Sequence, residues 1–173
     1  MHSDKIFLIG FMGSGKSTVG RKLASQLKWS YIDLDEKIES EAGMKITDIF
    51  SVKGESWFRE LESKMLRSLE TETKAVISTG GGTPCFDDNM EYMRATGITI
   101  YLKLTPAQLK SRLLRSSHQR PLIIGIGSDK LLGFIEGKLA EREKWYLEAE
   151  LTVDRFNTQL SDLYLLVKKR IKK

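Results

Sequence analysis

The stretch "LIGFMGSGKSTVG", Leu8 to Gly20, leaves few folds open to this chain. Its core, "GFMGSGKS", sets Gly10, Gly15, Lys16 and Ser17 in the spacing G-x-x-x-x-G-K-[ST], between a short apolar run and a segment of helical period. Gly13 and Gly15 let the backbone curl so that N–H groups point at phosphate oxygens, and the helix that follows adds partial positive charge at its start. Gly13, Ser14, Gly15, Lys16, Ser17 and Thr18 are thus the expected nucleotide cradle. Lys16 would reach the β- and γ-phosphates, and the Ser17 hydroxyl would ligate Mg2+. A plain glycine-rich turn is the alternative, disfavoured because the Lys-Ser pair is in register and the flanks are right. The reading is a nucleoside triphosphate site, which does not yet distinguish kinase, switch or motor.

Such a loop belongs to parallel α/β sheets, and the rest of the chain has that pattern. Short apolar runs alternate with helical periodicity, as in buried parallel strands joined by crossover helices. The predicted strands are Lys5 to Gly10, Ser30 to Asp35, Ala75 to Gly80, Ile98 to Leu104 and Leu151 to Asp154. Val19, Leu23 and Leu27 line one helix face, Leu61, Met65 and Leu69 a second, and Leu160, Leu163, Val167 and Ile171 a third. In "TPAQ", Thr105 can cap a helix with Pro106 in its first turn and Gln108 at the capping-box position. No repeat and no interdomain linker is evident, so residues 1–173 are expected to form a single domain. Residues Ser116 to Asp129 lack a period and are polar, then glycine-rich, the profile of a lid or of a disordered segment.

Composition narrows the partners. The net charge is +5, but the terminal run "KKRIKK" holds five basic residues, and without it 23 basic residues balance 23 acidic ones. A basic helix end that suits the helix dipole explains the excess better than a polyanion-binding patch, so no nucleic-acid partner is expected. Cys85 is the only cysteine, which excludes an internal disulfide and suits a reducing cytoplasm. The apolar segment Ile6 to Met12 is too short to span a membrane. A soluble cytoplasmic protein without a membrane partner is expected.

The remaining motifs ask what receives the phosphate. Neither Asn-Lys-x-Asp, needed to select guanine, nor the Leu-Ser-Gly-Gly of transporter ATPases occurs. "DLD" at Asp33 to Asp35 closes the second predicted strand, where residues two apart share a face, so both carboxylates can point into one site. One could hold a metal's water shell and the other an acceptor hydroxyl; two solvated acids capping a helix are the alternative. "FRELE" puts Arg59 and Glu62 three apart on a helix, as a surface ion pair or as a fork held still to grip a carboxylate. "STGGGTP" supplies Gly80, Gly81 and Gly82, whose entropic cost suggests a backbone that must come close to something, unless it is only a sharp turn. His118 reads as a solvated loop residue, and Met12, Met90 and Met93 as packing.

Taken in order, the phosphate loop, D-x-D, F-R-x-x-E, the triple glycine, "RPL" at Arg120 to Leu122 and "REKWY" at Arg142 to Tyr146 resemble the shikimate kinase family over nearly the whole chain. The resemblance implies a P-loop kinase fold, a five-stranded parallel sheet in the order 2-3-1-4-5 flanked by helices with a mobile lid at about 116–129. It implies transfer of the γ-phosphate of ATP to the 3-hydroxyl of shikimate by a monomer. By the same resemblance Asp33 serves Mg2+ through water, Asp35 holds the reacting hydroxyl, Arg59 and Arg142 clamp the shikimate carboxylate, and Gly81 and Gly82 present backbone to the ring. Lys16 and Arg120 would neutralise charge on the moving phosphoryl group, and Arg112, with Arg115 as competitor, would stack on adenine. Gluconate kinase is the near rival, and an ATP-dependent binding switch the rival from another class.

Overall fold

A computed structural model describes residues 4–115, 123 and 125–171. Five parallel strands, β1 (Lys5–Ile9), β2 (Ser30–Asp33), β3 (Ala75–Ser78), β4 (Ile98–Lys103) and β5 (Leu151–Asp154), form one sheet in the order β2-β3-β1-β4-β5. β1 is central and wholly buried, as its unbroken apolar run requires. Its alternate side chains feed two cores: Phe7 and Ile9 on one face, Ile6 and Leu8 on the other.

The Ile6/Leu8 face is covered by α1 (Lys16–Leu27) and α8 (Leu160–Ile171), through Val19, Leu23, Leu163 and Val167. The opposite face carries α2 (Leu34–Ala42), α3 (Ile46–Val52), α4 (Glu55–Arg67), α5 (Asn89–Thr96), α6 (Pro106–Arg115) and α7 (Leu131–Tyr146). The expected capping box opens α6: the Thr105 N–H donates to Gln108 Oε1 at 2.9 Å, and the Gln108 N–H to Thr105 Oγ1 at 3.3 Å. Met90 and Met93 are buried in the core, as read from the sequence.

Two strands end two residues earlier than expected, β3 at Ser78 and, with more consequence for the site, β2. The second strand stops at Asp33, and Leu34 already begins α2. Asp33 is the reason: its side chain accepts the Asp35 N–H at 3.1 Å and caps the helix, while Asp35 and Glu36 suit the positive end of the helix dipole. Leu34 and Ile38, four apart, then bury on the core side. Asp33 and Asp35 are therefore neighbours across a helix start, and the shared strand face is not what relates them.

Register places the site. Asp33 lies opposite Ser78, and Ser78 opposite Leu8, so β2, β3 and β1 end level with one another. The loops leaving these three carboxyl ends converge, as at the carboxyl edge of any parallel sheet.

Candidate active site

The phosphate loop bridges β1 and α1 with Gly13 at φ 81° and Gly15, the N-cap of α1, at φ 93°, the left-handed region that glycine tolerates. Lys16 is buried, its Nζ donating to the carbonyls of Gly10 at 2.8 Å and Phe11 at 3.0 Å, which holds the ammonium across the mouth of the loop. The Ser14 hydroxyl is buried within the loop without a hydrogen-bond partner among the described residues. Ser17 and Thr18 are exposed in the first turn of α1. Arg112, from the last turn of α6, donates to the Ser14 carbonyl at 3.3 Å and lies against Gly15; Arg115, exposed like Arg112, stands at the helix end.

Beside the loop, Ser17 Oγ donates to Asp33 Oδ2 at 3.0 Å. A hydroxyl and a carboxylate side by side are hard oxygen donors at a phosphate site, the donor set that fits Mg2+.

A cleft opens next to it, lined by Met12, Asp35, Gly80–Gly82 and Arg142, with Arg59 and Glu62 of α4 at its base and Ile46, Phe50 and Phe58 as an apolar wall. The F-R-x-x-E pair is no surface ion pair. Glu62 is fully buried; Arg59 Nη1 donates to its Oε2 at 2.8 Å, and Thr83 Oγ1 donates to its Oε1 at 2.6 Å. The opposite edge of the Arg59 fork is held by Glu55 Oε1, at 3.0 Å from Nη2 and 3.3 Å from Nε, and the Phe86 ring lies 4.0 Å from the guanidinium. Arg142, on the buried stripe of α7, is only 7% exposed, and its Nη1 has no hydrogen-bond partner among the described residues. A buried cation with an unfilled donor, lining a cleft, is a site waiting for an anion.

The triple glycine answers to close packing. A Cβ on Gly80 would sit 2.9 Å from Glu62 Oε1 and 3.2 Å from Asp35 Oδ1, and one on Gly82 would sit 2.6 Å from Arg59 Nη1. One turn beyond Arg142, Tyr146 donates its hydroxyl to the Gly81 carbonyl at 2.5 Å, tying α7 to the glycine strand end. Burial pushes the Tyr146 phenol far above its ordinary range, so it stays a donor.

The structure thus brings together Lys16, Ser17, Asp33, Asp35, Arg59, Gly81, Gly82 and Arg142. Arg120, His118 and most of the expected lid lie outside the described residues. The sequence reading missed the Ile46–Phe50 wall, because an i,i+4 apolar pair reads as core, and it counted Met12 as packing alone although that side chain also faces the cleft. Arg142, by contrast, left a signal: it interrupts the stripe Leu131, Ile135, Leu139, Tyr146, and a cation on a buried stripe needs an anion.

The family model for shikimate kinase matches residues 12–170. The chain belongs to the shikimate kinase family. A curated shikimate kinase of Parabacteroides distasonis is 43% identical over 150 residues, covering 87% of each chain. The crystal structure of shikimate kinase from Bacteroides thetaiotaomicron superposes with a TM-score of 0.88 at 38% identity, over 98% of both chains. Shikimate kinase from Acinetobacter baumannii in complex with shikimate superposes at 0.86 and 32% identity, over 98% of this chain and 93% of that one. The fold and the ordered motifs are therefore those of the family, with ATP as the family's phosphate donor.

Proposed function

We propose that the protein transfers the γ-phosphate of ATP to the 3-hydroxyl of shikimate, as a single cytoplasmic kinase domain of residues 1–173 acting as a monomer. The observation that carries this reading is the unfilled, buried Nη1 of Arg142 in a cleft beside the phosphate loop. That donor calls for an anionic acceptor, and the Phe50–Phe58 wall, with ring centroids 4.7 Å apart, suits the flat face of a carbocycle better than an open-chain polyol such as gluconate.

In this reading Arg142 and Arg59 hold the carboxylate, and Asp35 orients the 3-hydroxyl and receives its proton as the oxygen attacks. Glu62 and Thr83 keep Arg59 from swinging away, so that the geometry exists before substrate arrives. Lys16 leaves the carbonyls of Gly10 and Phe11 to follow charge on the transferred group, and the loop N–H groups hold the phosphates. Ser17 and, through water, Asp33 would hold Mg2+, which when bound neutralises phosphate charge. Arg112 would cover adenine, being the α6 arginine that reaches the loop. Arg120 and the lid at about 116–129 would close over the reacting group to exclude water. Among the described residues no helix is long and apolar enough to cross a membrane. The lone cysteine fits a reducing compartment.

The test is ADP release with shikimate, shikimate methyl ester, gluconate or no acceptor. Release should depend on shikimate and fall with the ester; gluconate-dependent release would assign the rival kinase, and acceptor-independent nucleotide turnover would point to a switch.

A further inference from the structure

Asp33 is held by more hydrogen bonds than helix capping requires. Its Oδ1 already accepts the Asp35 N–H, yet its Oδ2 takes two further donors, Ser17 Oγ at 3.0 Å and the Tyr31 hydroxyl at 2.9 Å. Tyr31 and Asp33 are two apart in β2 and share a sheet face, so the pleat itself aims the phenol at the carboxylate.

The ring is fixed from more than one side. Gly20 stands in the middle of α1, where glycine is costly, and a Cβ there would lie 2.6 Å from Tyr31 Cε2. The Arg21 guanidinium lies 4.6 Å from the ring centroid. Arg21 in turn pairs with Glu36 at 2.9 Å, which links the α1 side of the ring to the helix that Asp33 caps. A phenylalanine would fill the same space; only the hydroxyl reaches Asp33.

We propose that Tyr31 is a positioning residue for the metal: its hydroxyl fixes the Asp33 carboxylate in the rotamer that receives a water of Mg2+. Ser17 alone is a poorer anchor, because its oxygen is itself a metal donor and the hydroxyl must turn to present a lone pair to the ion while its hydrogen stays on Asp33. The Tyr31 hydroxyl also meets Ser78 and Ser17, but it is not itself a metal donor, so its bond to Oδ2 can persist when the metal arrives. The inference rests on the assignment of Ser17 and Asp33 to Mg2+ and adds a residue that orients them, as a ligand's supporting hydrogen bonds do at metal sites.

The test is Tyr31→Phe, read by calorimetric titration of ADP without acceptor, once in chelator and once at graded Mg2+. The Kd for ADP in chelator should stay within about twofold of native, while the Mg2+ concentration that half-saturates the Mg2+-dependent gain should rise roughly 10-fold, the scale on which such supporting bonds act. Asp33→Asn, which still caps a helix, is the control for the metal assignment. If Asp33→Asn moves the Mg2+ dependence and Tyr31→Phe does not, the role of Tyr31 is overturned and the metal site stands. If neither moves it, the metal assignment falls and the inference with it. An equal loss of ADP affinity with and without Mg2+ in Tyr31→Phe would make the hydroxyl a support of the loop and would also overturn the proposal.

Discussion

Arg59 and Arg142 face one cleft with opposite energetics, and replacing each by methionine separates recognition from stability. Arg142→Met removes a buried guanidinium whose Nη1 has no partner, so the free protein gives up a costly unfilled donor and keeps the packing of the stem. Its unfolding free energy should change by no more than about 1 kcal/mol, whereas kcat/KM for shikimate should fall about 30- to 700-fold, a loss of ~2–4 kcal/mol in transition-state stabilisation. Arg59→Met leaves Glu62, fully buried, with the Thr83 hydroxyl as its only remaining donor among the described residues. Breaking a buried pair on one side costs roughly 3–5 kcal/mol, which for a chain of 173 residues is roughly 6–20 °C in Tm. Thermal unfolding with and without shikimate, beside coupled ADP-release kinetics, measures both quantities. Equal destabilisation by the two substitutions would show that the Arg142 guanidinium is fully paired within the protein, and an unchanged KM for shikimate in Arg142→Met would show that it does not hold the acceptor.

Further outcomes follow from other contacts. Lys16→Ala should lower kcat at least ~100-fold, the scale of losing one transition-state charge donor, with far-UV circular dichroism unchanged; a folded variant of native kcat would remove Lys16 from the chemistry. Glu55→Gln should lower the KM for shikimate several-fold, since Glu55 holds the Nε/Nη2 edge of Arg59 that an acceptor carboxylate would use, and initial-rate kinetics decide it. Gly82→Ala drives a Cβ to 2.6 Å from Arg59 Nη1 and should raise the shikimate KM while the Kd for ADP stays native. Burial pushes the Cys85 thiol up to about 11. The neutral thiol is thus favoured in the fold, and alkylation at pH 8 should run about 100-fold slower than for a free cysteine, rising about tenfold per pH unit until that value is passed.

Much of this architecture was legible because its signals are local. The phosphate loop, the five strands and the Thr105–Gln108 capping box depend on neighbours in sequence, and each lies where it was expected except that β2 and β3 end two residues early. The end of β2 was not legible in the same way: Asp33 suits a strand end and a helix cap equally, and the burial of Leu34 in tertiary packing decides for the helix. Arg59 and Glu62 posed a similar problem, since i,i+3 spacing fixes a pair but not which side of α4 meets the core. Helix α7 was obscured by Gly133, Gly137 and Arg142 within its span, the last of them placed on the buried face by the cleft it serves. The Tyr31–Asp33 contact follows from strand alternation, yet nothing in the sequence says that Gly20 leaves room for the ring.

With Arg142 holding a carboxylate-bearing ring beside the phosphate loop, the phosphoryl group should go to that ring's 3-hydroxyl. Phosphorus NMR of a reaction containing protein, ATP, Mg2+ and shikimate tests it most directly. The spectrum should show a phosphomonoester signal coupled to the proton on carbon 3, growing one for one with ADP and absent when gluconate replaces shikimate. Inorganic phosphate as the only new signal beside those of ADP, or an ester formed with gluconate and not with shikimate, would overturn the assignment.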